Sequence, residues 1–335
     1  MKSVWIHAGV LGVASVLAFS VWSREPSEGL DSTEESKVEV WGGSPESVEL
    51  IRFESPQRTV VVEPKKDEFG RYYVTKVDKA EGAAHGAAAV DAGAPPPGKR
   101  TTMRFIGVKS AEELAKQVAP LMAFRKIGPI DPKRAEEFGL DKPEGTLKVK
   151  VRGAEHSLVI GGTTPGGQER YAKEGSSGAV YAVNGEIAQS LLSAESRLLE
   201  RDLHGFEALE VTRVRVTKGP KSREIVALPE KKGGFADPAT PTKLDETAGN
   251  WMTKLERLQV SEYVENPNPP LRPQDAVLRV EYFAGSKPLG FLELYKVPGE
   301  KGSDYLVKTE RIRWAAKVLT SAAEQVDQDS GSVLK

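Results

Sequence analysis

Cysteine is absent from all 335 residues, and the absence removes several classes of protein at once. Disulfides, thiolate catalysis, zinc sites built on cysteine and a lipoprotein anchor on cysteine all require the missing thiol. Charge of one sign is missing as well. Lys plus Arg number 47 against 48 for Asp plus Glu, a net charge of −1. That balance lacks the basic stripe that nucleic-acid binding needs. Histidine occurs four times, at His7, His85, His156 and His204, and no pair has the spacing of metal ligands. No Gly-x-Ser-x-Gly elbow is present. "GGTTPGG" (161–167) has a strand before it and a strand after it, with no lysine at the Walker position, so it reads as a hairpin turn and not a phosphate loop. The paired Glu34/Glu35 and Glu136/Glu137 point about 100° apart on a helix and do not converge on one atom. "DQDSGS" (327–332) has its glycine one place early for a calcium loop and lacks the closing glutamate. No catalytic, metal or cofactor residue is assigned, and the chain reads as a non-enzyme.

What is present begins at the N-terminus. "SVWIHAGVLGVASVLAFSVW" runs from Ser3 to Trp22 without a charge. About 20 apolar residues span the ~30 Å hydrocarbon core of a bilayer, and Trp5 and Trp22 sit where interfacial aromatics belong. A cleaved signal peptide is the alternative, with Ala18-Phe19-Ser20 as its site, but that site lies inside the apolar run. Residues 1–22 are therefore read as a signal anchor and 23–37 as an acidic tether. Lys2 precedes the span and five acids follow it, which places the bulk of the chain in the periplasm as a single-pass inner-membrane protein.

Beyond the tether the chain repeats. "VELIRF" and "RTVVVEP" (48–64) match "VTRVRV" and "REIVALPE" (211–230), and helical "SAEELAKQVAPLMAFR" (110–125) matches "LDETAGNWMTKLERLQ" (244–259). "TLKVKV" (146–151) matches "AVLRVEYF" (276–283). Val48 to Val211 is an offset of 163, whereas Pro165 to Pro298 is 133. The difference is mostly accounted for by "KAEGAAHGAAAVDAGAPPPGKRTT" (79–102), an Ala/Gly/Pro insert read as disordered. The expected fold is α+β: two divergent units, 38–205 and 206–328, each a mostly antiparallel sheet with one or two helices on one face, then a tail at 329–335. Leu147, Val149 and Val151 should point inward while Lys148, Lys150 and Arg152 meet water. Asp131, Pro132 and Gly139 should cap a short helix. Pro120 should kink or stop the helix that contains it. Ser110 with Glu113 should form a capping box, and Thr242 with Asp245 a looser one.

Three stretches, "FGLDKPEGTLKVKV", "HSLVIGGTTPGGQERYAKE" and "GAVYAVNGEIAQSLLSAESRLLERDL", resemble the recurrent core of an uncharacterised bacterial domain family that lies beside gliding-type ABC transporter components. The resemblance implies an anchored envelope protein that assists or assembles an ABC-type transport system linked to gliding motility or envelope organisation. Its partners would be the membrane and other envelope subunits, and it implies no catalytic residue. The expected function is a non-enzymatic interaction subunit; basic, amphipathic "RIRWAAKVL" (311–319) is a candidate docking edge, with a structural role the favoured reading. The alternative is a periplasmic glycan- or peptide-binding module using a groove between the two units. Tyr72, Tyr73, Trp251 and Trp314 are the aromatic candidates for ligand or partner contact, with core filling the favoured reading for Trp251 and Trp314.

Overall fold

The computed structural model describes residues 37–80, 100–228, 231, 233–299 and 302–335. The expected anchor, nearly all of the tether and the interior of the Ala/Gly/Pro insert lie outside the described residues. Among the described residues no helix is long and apolar enough to cross a membrane.

The first unit comprises β1 (Val38–Trp41), β2 (Val48–Glu54), β3 (Arg58–Asp67), β4 (Gly70–Ala80), β5 (Arg100–Gly107), α1 (Lys109–Val118), β6 (Leu121–Gly128), β7 (Gly145–Val151), β8 (Ala154–Thr163), β9 (Glu169–Glu174), β10 (Val180–Asn184) and α2 (Gly185–Leu192). The second comprises β11 (Arg213–Lys218), β12 (Lys221–Ala227), β13 (Phe235–Ala236), α3 (Glu246–Glu256), β14 (Val260–Val264), β15 (Leu278–Ala284), β16 (Lys287–Gly299), β17 (Gly302–Thr309), β18 (Ala315–Val318) and α4 (Thr320–Val333). The sheets run β1-β6-β10-β9-β8-β7-β2-β3-β4-β5 and β13-β12-β11-β15-β16-β17-β18-β14. With β1 and β5 removed from its two edges, the first sheet has the strand order of the second read backwards. The duplication therefore extends to topology, with α1 matching α3 and α2 matching α4 in chain order.

Period-two patterning sets the sheets. Leu147, Val149 and Val151 are buried on β7, while Lys150 on the other face pairs with Glu49. The insert closes a hairpin, because β4 and β5 stay in register out to Lys79↔Thr101 and Ala80↔Arg100. Residues 79, 80 and 100–102 are thus strand, not insert. The helix expected over 110–125 stops at Val118, ahead of Pro120, and Leu121 and Met122 begin β6. Proline offers no N–H to continue a helix. Neither expected capping box forms. α1 starts at Lys109 behind Val108, with no side-chain cap, and α3 is capped by Asp245 accepting from the Ala248 N–H. Residues 329–333 are helical within α4, with Val333 buried, so they complete the second unit and are not a tail.

The short helix Pro132–Phe138 is capped as expected, by Asp131 accepting from the Lys133 N–H and by left-handed Gly139 at φ 62°. The glycine pair of "GGTTPGG" belongs to the same contact. A Cβ on Gly139 would lie 2.6 Å from the Gly162 nitrogen, and one on Gly161 would collide with the Phe138 carbonyl oxygen. The connector presses on β8 backbone to backbone, and glycine alone permits that approach.

Gly139→Ala should cost at least about 2 kcal/mol, the left-handed penalty plus overpacking. Gly219→Ala is the control, with φ +55° and nothing within 4 Å of its Cβ. It should cost only ~1–2 kcal/mol. Urea unfolding of the two variants separates the contributions, and equal losses would mean that the backbone contact contributes nothing.

Candidate functional site

Trp251 is core, with its indole N–H donating to the Val326 carbonyl at 2.9 Å. Tyr73 is fully buried and donates to Glu112 at 2.6 Å. Tyr72 and Trp314 lie at the seam between the units, Tyr72 beneath Arg313 and Trp314 beneath Arg104. Arg313 also pairs with Asp67 and Arg104 with Glu265, each across the seam. The candidate docking edge in "RIRWAAKVL" thus faces the chain's own first unit at Arg311 and Arg313. Its segment Ala315–Val318 is an inner strand between β17 and β14. The four aromatics do not converge on one groove, because two fill cores and two close the seam.

The linker between the units crosses that seam. The Glu200 N–H donates to the Ile106 carbonyl of β5 at 2.8 Å, and the Val260 N–H of β14 donates to the Arg201 carbonyl at 3.2 Å. Glu200 also accepts from Tyr263 Oη at 3.0 Å and pairs with Arg311 at 2.7 Å. Buried residues of both units form one continuous hydrophobic core. Beside this line an open hollow of about 460 Å³ lies between the units, lined by Glu46, Arg71, Val108, Lys109, Glu112 and Arg311, with no aromatic wall.

A second open pocket, of about 260 Å³, lies between the linker's exit, residues 202–211, and the second unit. Leu255 and Glu256 from the end of α3 form one side, Tyr282 of β15 another, and His204 and Phe206 of the linker a third. Three rings pack mutually: His204 to Phe206 at 4.7 Å, His204 to Tyr282 at 4.6 Å and Phe206 to Tyr282 at 5.1 Å between centroids. Glu310 holds His204 at Nδ1, 3.1 Å away, and also accepts from the Phe291 N–H. Tyr282 is 3% exposed and lines the pocket; its hydroxyl makes no hydrogen bond to any described residue.

Asp202, Glu207 and Glu256 line the same pocket and enter no ion pair among the described residues. Glu256 is exposed as a residue, but partial burial of its carboxyl pushes its pKa above the usual range, with His204 pulling the other way. Burial drives the Tyr282 phenol well above its ordinary value, helped by Glu310 and Glu256. Neither Ser, Thr nor Lys lines the pocket. No group of three or more His, Asp or Glu among the described residues is placed to hold a metal ion.

The first unit fills the corresponding place. Trp41 stands 163 residues before His204, and the turn at Pro45–Ser47 has the same offset to the turn at Ala208–Glu210. Trp41 is 5% exposed, stacks on His156 at 4.9 Å and donates its indole N–H to the Val118 carbonyl at the end of α1. Phe206 corresponds to Gly43, where a Cβ would sit 2.7 Å from Val151. Tyr282, opposite Val214, corresponds to Val149, opposite Ile51. Glu256, just after the last buried residue of α3, corresponds to Ala119 just after the last of α1. One copy is plugged by an indole, while the other is open, aromatic and acidic.

Residues 109–276 match a family described as a domain of unknown function, DUF4340. The match covers half of the chain, and the chain belongs to that family. It takes in the linker and the α3 side of the pocket and stops short of Tyr282. No curated protein and no solved structure matches the chain.

Glu256→Gln should stabilise the protein at neutral pH. A carboxyl with a raised folded pKa binds its proton more tightly folded than unfolded, so its cost is absent below the usual carboxylate range and grows as pH rises through it. The variant's Tm should exceed that of the wild type at pH 7 and converge with it below about pH 4. Thermal unfolding across that span checks the sign, and a lower Tm at pH 7 would contradict it.

Proposed function

We propose that this protein is a non-enzymatic recognition subunit of the bacterial cell envelope, in which the second unit receives part of a partner and the first unit serves as rigid support. The observation that carries the reading is the difference between the copies: Trp41 seals the first at the place where His204, Phe206, Glu256 and Tyr282 surround a pocket in the second. A duplicated unit that needed only to fold could keep the indole plug in both halves. Opening one copy leaves the Phe206 ring partly exposed, a cost that a binding partner can offset.

The lining supports recognition over turnover. It offers no hydroxyl or amine nucleophile besides a tyrosine, and the Nδ1 face of His204 is engaged by Glu310. The setting comes from the family resemblance: an N-terminal anchor in the inner membrane, the bulk of the chain in the periplasm, and an ABC-type transport system linked to gliding or envelope organisation as the neighbour. The tether would raise the local concentration of the pocket near such a membrane partner.

Photocrosslinking in the native host tests the asymmetry directly. A photoreactive phenylalanine analogue is placed at Glu207 on the pocket rim or at Ser44, its counterpart 163 residues earlier in the full chain. A defined adduct from position 207 and none from position 44 is expected. No adduct from 207, or equal adducts from both, would overturn the reading.

A further inference from the structure

We propose that the pocket of the second unit binds an organic ammonium or guanidinium cation. This inference rests on the recognition reading above and names the chemistry recognised. Three carboxylates, those of Asp202, Glu207 and Glu256, line the pocket, and neither Lys nor Arg lines it to balance them. A neutral sugar would leave those charges uncompensated, and an anion would be repelled. A cation answers them and also suits the ring cluster of His204, Phe206 and Tyr282, since aromatic rings attract cations by ~0.5–2 kcal/mol.

The Tyr282 hydroxyl supplies the independent indication. It sits on a side chain that is 3% exposed, at a pocket wall, without a hydrogen-bond partner among the described residues. The ring is buried while the hydroxyl reaches the pocket surface with no protein partner among the described residues, and an N–H donor entering the pocket would be accepted there. The Glu256 carboxyl on the facing wall would take a second N–H of the same group. A volume of about 260 Å³ is below the ~300–1,000 Å³ of sites for drug-sized ligands and suits one basic side chain or a small free amine. Arg201 and Arg257 flank Asp202 and Glu256 in the chain but do not line the pocket, and two further neighbours are paired. Arg311 is paired with Glu200, and Glu310 with His204.

Isothermal titration of the full chain in detergent tests the proposal with n-butylammonium, a Gly-Lys-Gly peptide blocked at both ends so that the lysine ammonium is its one charge, and 1-butanol as uncharged control. Saturable binding of the amine or the peptide is expected, with 1-butanol at least tenfold weaker. Glu256→Gln should weaken the cation at least tenfold and Tyr282→Phe about threefold. Both changes keep shape, and wild-type far-UV spectra would confirm the fold. Binding by the amine alone or by both probes identifies the ammonium group as sufficient, and binding by the peptide only identifies a partner's side chain. No binding by either probe, butanol as tight as the amine, or unchanged affinity in Glu256→Gln would each overturn the cation assignment. The recognition reading fails separately. Adducts from Glu207 without cation binding would remove only the ligand class, and cation binding without adducts would remove only the protein partner.

Discussion

Glu200 is the residue through which the two halves of the chain hold each other. Its N–H bonds to β5 of the first sheet, its carbonyl accepts from Tyr263 on β14 of the second, and its carboxylate pairs with Arg311 and accepts from the Asp202 N–H. The carboxylate side chain is 7% exposed and its Arg311 partner 14%. Breaking one side of such a pair costs ~3–5 kcal/mol, because the other charge stays buried. The linker also answers a problem of topology. β5 and β14 are edge strands of their sheets, and bare edges invite pairing with foreign chains. The segment at 200–201 hydrogen-bonds to both edges and closes them against each other.

The pocket is a consequence of that crossing. Once Glu200 and Arg201 are fixed between the sheets, residues 202–211 must descend over the end of α3 to reach β11. In the first unit the same stretch begins as β1, pairs with β6 and drives Trp41 against the end of α1. In the second, the backbone at 200–201 is committed to the seam, and His204 takes the position of the indole. Its Nδ1 is held by Glu310 from the end of β17, so the smaller ring leaves room beside Phe206 and Tyr282. The seam and the site are coupled through five residues of chain.

Much of the architecture was legible in the sequence. Offsets of 163 ahead of the insert and 133 beyond it exposed the duplication, alternation on β7 fixed its inward face, and Asp131 with Gly139 marked both ends of their short helix. The helix over 110–125 overran because Leu121 and Met122 continue a 3.6-residue period that the turn at Pro120 interrupts. The glycines of "GGTTPGG" resembled pure turn chemistry, and their contact with Phe138 and Gly139 is tertiary. The apolar face shared by Ala248, Trp251, Met252 and Leu255 already favoured a core Trp251, whereas the aromatic character of Tyr73 does not distinguish a core residue from a ligand contact. The pocket assembles His204, Glu256 and Tyr282 from three separate segments, beyond the reach of any local motif. One signal did exist. Aligning the copies at the 163-residue offset sets Trp41 against His204, an exchange of a core residue for a polar one.

The direct test of the central claim is whether the two units unfold together. Urea unfolding of the protein can be followed from Trp41 in the first unit and Trp251 in the second, using variants in which the other tryptophans are replaced by phenylalanine. Coincident transitions in the otherwise wild-type protein, separating when Glu200 is changed to Ala, are the predicted result. Transitions already separate with Glu200 in place would contradict it and reduce the seam to a contact between independent domains.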